Sequence, residues 1–140
     1  MSVESLCEEV RRLEEEINEL FYDNETSSLS EDELRKVFED PLNKYRGAVN
    51  ELLRRLGVGD DRIKLVNEAI DALIEDSGRI TDPDPHDYWW AGWRFLASVI
   101  DIVCGDLPYL GNGAPDEEFG KDLVRELWRL PCEVRQTRGS

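Results

Sequence analysis

Three observations predict an all-α fold. Apolar residues recur at spacings of three and four along most of the chain, and no stretch holds a run of period-two alternation. Helix punctuation brackets the periodic stretches, with capping residues before them and glycine or proline after. The expected architecture is a single-domain bundle of five to six helices around a central apolar helix at about 86–104. The domain is expected to span 1–131, followed by a short flexible tail at 132–140. A chain of 140 residues fits one domain, and at that size about two-thirds of the unfolded surface can be buried.

The first helix is predicted over 3–22. Val3, Leu6, Val10, Leu13, Ile17 and Leu20 form an a/d seam nearly three heptads long, and Glu8, Glu9, Glu14, Glu15, Glu16 and Glu19 surround it. Such a seam packs against its own bundle or pairs two copies as a homodimer through residues 3–20. Residues 23–29 form a polar connector. Ser30 then caps a second helix, with Glu33 completing a capping box. Leu34, Phe38, Leu42, Tyr45, Val49, Leu52 and Leu56 hold one face as far as Gly57, in phase across Pro41. That phase predicts one helix kinked near Asp40, or two short helices with Asp40 as the new cap.

Asp60 is the expected cap of the third helix, which buries Ile63, Val66, Ile70 and Leu73 and stops at Gly78. The central helix is expected to open with Asp84 as cap and Pro85 in its first position. It carries three of the four tryptophans. Two adjacent apolar stripes make it a helix covered on most sides. Only Arg94, Ser98 and Asp101 form a polar strip, so Arg94 is expected to meet a carboxylate from another helix. Arg94 and Asp101, with acidic flanks, argue against a membrane span. Gly105 ends this helix. A last helix from Pro115 turns Phe119, Leu123, Leu127 and Leu130 inward and stops at Pro131.

Charge narrows the partners. The chain has 32 acidic and 17 basic residues, net −15. Residues 1–40 hold 14 acids against 4 bases, net −10. Such a field repels phosphate backbones, so direct nucleic-acid binding is not expected; it attracts a basic protein surface. With 13 Arg against 4 Lys, the same composition also suits adaptation to high salt. Cys7, Cys104 and Cys132 are odd in number and lack metal-ligand spacing, which reads as a reducing, cytoplasmic setting. Glutamates beside Cys7 disfavour its thiolate, and Cys104 in an apolar helix is expected to be inert.

Candidate chemistry is sparse. Asp82, Asp84, His86 and Asp87 could attract a divalent metal, but the same residues suit a turn and helix cap. Trp89 and Trp93 share a stripe, while Trp90 lies about 100° away on the helix. Trp90 is therefore expected to reach the surface near His86 and Arg94, where it could anchor an interface. Glu15-Glu16-Ile17-Asn18-Glu19 and the later Glu68-Ala69-Ile70-Asp71 resemble the two acidic motifs of all-α nucleoside triphosphate pyrophosphohydrolases of the MazG type. That resemblance implies a metal-dependent hydrolase with Glu15, Glu16, Glu19, Glu68 and Asp71 around Mg²⁺. The motifs stand further apart here, with a long helix between them.

The function expected from these features is an acidic helical binding or regulatory protein that engages a basic protein surface, in the manner of inhibitors, immunity proteins and nucleic-acid mimics. Its partner-binding residues would be Glu8, Glu9, Glu15, Glu16, Glu19 and Trp90. No catalytic residue, metal or other cofactor is expected. The alternatives are the Mg²⁺-dependent pyrophosphohydrolase and a structural or halophilic domain whose charge serves solubility.

Overall fold

The computed structural model describes residues 2–23, 26, 28–105 and 129–130. Among them are four α-helices and no strand: α1 (Val3–Tyr22), α2 (Glu31–Arg55), α3 (Asp60–Asp76) and α4 (Pro83–Val103), with a 3-10 turn at Ser77–Arg79. The all-α class is the expected one, and four of the expected five to six helices fall within the described residues. The helix predicted from Pro115, the irregular stretch before it and the tail at 132–140 lie outside the described residues. The exceptions are Arg129 and Leu130, which are helical, with Leu130 buried.

Ser2 caps α1, its hydroxyl accepting from the Ser5 N–H at 3.1 Å. The seam is used inside the chain. Leu6, Val10, Leu13 and Ile17 are fully covered, Val3 and Leu20 partly so, and α1 packs chiefly against α2. A homodimer through residues 3–20 would therefore have to use the outer face of α1 rather than the seam.

Helix α2 is a single element with Pro41 inside it, capped by the Ser30–Glu33 box. An interior proline costs about 3 kcal/mol. Here Leu34, Phe38, Leu42, Tyr45, Val49 and Leu52 are all buried on both sides of it. Burial of one such side chain is worth about 1.5–3 kcal/mol, so the shared face outweighs the break. Gly57, at φ 80°, ends the helix. The Val58 N–H donates to the Leu53 carbonyl at 2.9 Å and the Gly57 N–H to the Arg54 carbonyl at 3.1 Å, which is a Schellman closure.

Helix α3 is capped by extended Gly59 rather than Asp60, and Asp60 is its first helical residue. Asp60 and Asp61 thereby sit in the first turn, where their charge complements the helix dipole. Gly78 does not stop α3 by a left-handed turn. A Cβ there would lie 3.1 Å from the Glu31 carbonyl oxygen and 3.2 Å from the Arg35 side chain, so the missing side chain lets the 3-10 turn approach the start of α2.

Helix α4 opens earlier than expected. Asp82 is the cap, without a side-chain bond, Pro83 is the first helical residue, and the His86 N–H donates to the Asp82 carbonyl at 2.9 Å. Both prolines fall among the first positions, whose N–H groups have no intrahelical acceptor, so neither removes a bond. Asp84 therefore belongs to the first turn and is not the cap. Gly105, at φ 85°, follows the helix end as predicted. Trp89 of α4 sits where α1, α2 and α3 come together. It stacks on Phe21 at 5.4 Å, meets Phe38 edge-on at 5.1 Å, and donates its indole N–H to the Leu73 carbonyl at 2.8 Å.

Candidate functional site

Helices α1 and α4 run antiparallel, and their contact gathers most of the chemistry. Cys7 meets Cys104 at one end, Asn18 accepts from the Trp93 indole at 2.7 Å further along, and Phe21 stacks on Trp90 at 4.7 Å at the other end. Two residues of the polar strip of α4, Asp101 and Arg94, act on Glu14 of α1 in this contact.

Glu14, which looks from sequence like one more glutamate around the seam, is buried at 6 % exposure. The Tyr45 hydroxyl donates to its Oε2 at 2.9 Å. Burial pushes the Glu14 carboxyl up to about 9. A hydrogen bond to Asp101 and that residue's charge push the same way, while Tyr45 and the positive charge of Arg94 oppose them. At neutral pH Glu14 therefore keeps its proton. Burial also raises the Tyr45 hydroxyl, with Glu14 next in effect. The expectation that Arg94 meets a carboxylate from another helix is matched only by a long-range effect: its charge opposes the rise at Glu14, while its guanidinium lies over the Trp90 ring.

The predicted partner-binding acids lie outside this cluster. Glu8, Glu15 and Glu19 are exposed, and no ion pair among the described residues draws on them. Glu9 and Glu16 are half-buried and flank Arg12. Glu9 accepts two bonds from its guanidinium, which hold the Glu9 carboxyl below its usual range, and Glu16 approaches it at 3.6 Å. Arg12 thus divides the acidic face.

Trp90 is partly buried rather than open. Phe21 stacks on it, Tyr22 meets it edge-on at 5.2 Å, and the Arg94 guanidinium lies 5.9 Å from its ring centre. His86 is close by, 4.5 Å from Phe21. The most exposed aromatic at this end is Tyr22, 67 % open, which sequence reasoning passed over. Its position just past the last seam residue is the signal that could have found it.

The acids assigned to a metal are not gathered. Glu15, Glu16 and Glu19 stand on α1, Glu68 is exposed on α3, and Asp71 is taken by Arg46 of α2. No group of three His, Cys, Asp or Glu among the described residues could hold a metal ion, and that includes the Asp82–Asp87 segment. No helix among them is long and apolar enough to cross a membrane.

Cys7 and Cys104 form a disulfide, with Cα atoms 5.9 Å apart. This corrects the reading of both as reduced thiols and of Cys104 as inert. Cys104 is the cap that follows α4, not a residue in its apolar body, and the antiparallel pairing brings it to the second turn of α1. An open pocket of about 320 Å³ lies beside the bond, lined by Val3, Glu4, Glu8 and Arg11 with the two cysteines.

Comparison with protein-family models, curated proteins and solved structures finds no match.

Proposed function

We propose that the protein is an acidic helical binding protein that engages a basic protein surface through the outer face of α1. One observation carries this reading. The apolar seam of α1 is consumed in the core, while Glu8, Glu15 and Glu19 on its outer face stay exposed without ion pairs among the described residues. Exposed like charges weaken self-association and draw an oppositely charged surface, raising the on-rate at low salt. Glu9 and Glu16, tempered by Arg12, would form the rim, and Trp90 with Tyr22 an aromatic edge at the end of the helix. Inhibitors, immunity proteins and nucleic-acid mimics use charge in this way. Cytoplasmic placement belongs to the same proposal. In a reducing compartment a disulfide is mostly transient or redox-sensing, which bears on Cys7–Cys104.

The test compares two sets of substitutions. One changes Glu8, Glu9, Glu15, Glu16 and Glu19 to Gln. The other changes Asp60, Asp61, Glu68, Glu75 and Asp76 to the matching amides. Both proteins should stay folded, since exposed substitutions move stability by roughly ±0.5 kcal/mol each. Only the first should lose the partner retained from native cell extract at low salt, and the parent complex should weaken as salt rises. Equal losses from both sets would leave charge as a solubility device. Hydrolysis of nucleoside triphosphates with Mg²⁺ that disappears in Glu68→Gln and Asp71→Asn would replace the proposal with the hydrolase.

A further inference from the structure

The two sulfurs of the disulfide are not equivalent. Cys7 is 5 % exposed and lies within α1, in the second turn from its positive end, one turn before Arg11. Cys104 is half-buried and stands at the negative end of α4, just before the left-handed Gly105. Both line the same open pocket, and two carboxylates, Glu4 and Glu8, share its wall.

Thiol–disulfide exchange needs an approachable sulfur and a departing thiolate of low pKa. Exposure makes Cys104 the approachable sulfur. Cys7 is the departing sulfur by position, since at 5 % exposure it is closed to the reagent, and the negative end of α4 disfavours a thiolate leaving on Cys104. The glutamates of the pocket and the net charge of −15 act on the incoming reagent. They repel anionic thiols and concentrate cationic ones.

We propose that the Cys7–Cys104 bond is a thiol-exchange site, opened at the Cys104 sulfur by a small cationic aminothiol that enters the adjacent pocket. The aminothiol thiolate attacks the Cys104 Sγ. A new sulfur–sulfur bond forms there, the Cys7–Cys104 bond breaks, and its electron pair leaves on Cys7, which takes a proton from water. A second aminothiol thiolate attacks the reagent sulfur of the mixed disulfide. It releases the Cys104 thiolate and the oxidised aminothiol dimer. Two electrons pass from two aminothiols to the protein. The rest of the α1–α4 contact, Glu14 with Asp101 and Asn18 with Trp93, does not depend on the bond, so the opened protein stays folded.

The test uses the full chain carrying Cys132→Ser, so that a third thiol does not compete. Cysteamine, 2-mercaptoethanol and glutathione are applied at equal thiolate concentration, the reaction is stopped by alkylation, and peptides are mapped by mass. Cysteamine should open the bond at least about ten-fold faster than glutathione at low salt, within the range that electrostatic steering gives. High salt should narrow that gap. The trapped adduct should sit on Cys104 and the alkyl group on Cys7. Glu4→Gln with Glu8→Gln should reduce the cysteamine advantage while circular dichroism stays unchanged. Three results would overturn the proposal: an adduct on Cys7, equal rates for the three thiols, or opening only at the rate of global unfolding.

Discussion

Where α1 meets α4, a polar cluster centres on the buried Glu14 and Tyr45, whereas at the contact of α2 with α3 the polar groups sit near the rim. The inner set is Glu14, Tyr45, Asp101 and Arg94. Its central carboxyl is held in the protonated form by burial. The outer set is Asn50, Asn67, Arg46 and Asp71. Asn50 and Asn67 donate to each other at 3.3 and 2.8 Å, Asn67 also donates to the Ile63 carbonyl at 2.7 Å, and Arg46 binds Asn67 and the largely exposed Asp71. The outer set joins two neutral amides to one Arg–Asp ion pair at the rim, and none of its bonds calls for a neutral carboxyl. The inner set works only while a carboxyl stays neutral. The same task of joining two helices by side chains is thus met once with a carboxyl held neutral by burial and once without.

The largest effect should come from cutting the covalent part of the inner contact. The disulfide joins residues 97 apart in sequence. Closing a loop of that length is worth about 4.7 kcal/mol in the chain-entropy model. Cys7→Ser should therefore lower the melting temperature by roughly 15 °C. An unchanged melting temperature would mean that the bond adds no constraint.

Arg94→Met should follow, at about 1.5 kcal/mol in denaturant unfolding, for loss of the cation over the Trp90 ring. Arg94 is only half-buried and Glu14 is neutral, so the cost stays well below that of a broken buried charge pair. A cost below about 0.5 kcal/mol would place Arg94 with ordinary surface residues.

The third effect is the pH response. The folded Glu14 carboxyl titrates at about 9, against 4.5 in the unfolded chain. Between these values the folded state holds a proton that unfolding releases. This contribution to stability is full below the unfolded value and is lost as pH rises towards and through the folded one. From pH 7 to 9 the stability should fall by up to ~1.4 kcal/mol per pH unit. Glu14→Gln keeps an acceptor for Tyr45 and a donor for Asp101, so it should flatten the slope. A slope that persists in Glu14→Gln would assign the response to another group.

The smallest effects belong to the outer set. Asn67→Ala should cost about 1 kcal/mol, and Asp71→Asn about 0.5 kcal/mol or less. Neither should alter the pH slope, and a change in either slope would erase the contrast between the two contacts.

Most of the helices were legible in the sequence because periodicity and capping are local. The seam at 3–22, the Ser30–Glu33 box and the glycines at 57 and 105 each act within a few residues. Asp60 and Asp84 misled because both stand beside a better-placed cap; Gly59 and Asp82 take the extended conformation instead. The candidate site was far less legible. Glu14 lies one residue off the seam, like several neighbours, and is buried only because Tyr45 of α2 and the polar strip of α4 close over that flank. The strip itself was the clue, since a cation and a carboxylate on an apolar helix need a partner. Nothing local in the sequence indicates that α1 and α4 run antiparallel, so the Cys7–Cys104 pairing stayed hidden.

That bond makes residues 7–104 a closed covalent ring that contains the connectors between all four described helices. A protease that nicks any connector inside the ring leaves a single molecule, and its two pieces separate only after reduction. Damage to the loops of this protein would therefore pass unseen on a non-reducing gel. The redox state of one pair of sulfurs decides whether a nicked chain comes apart.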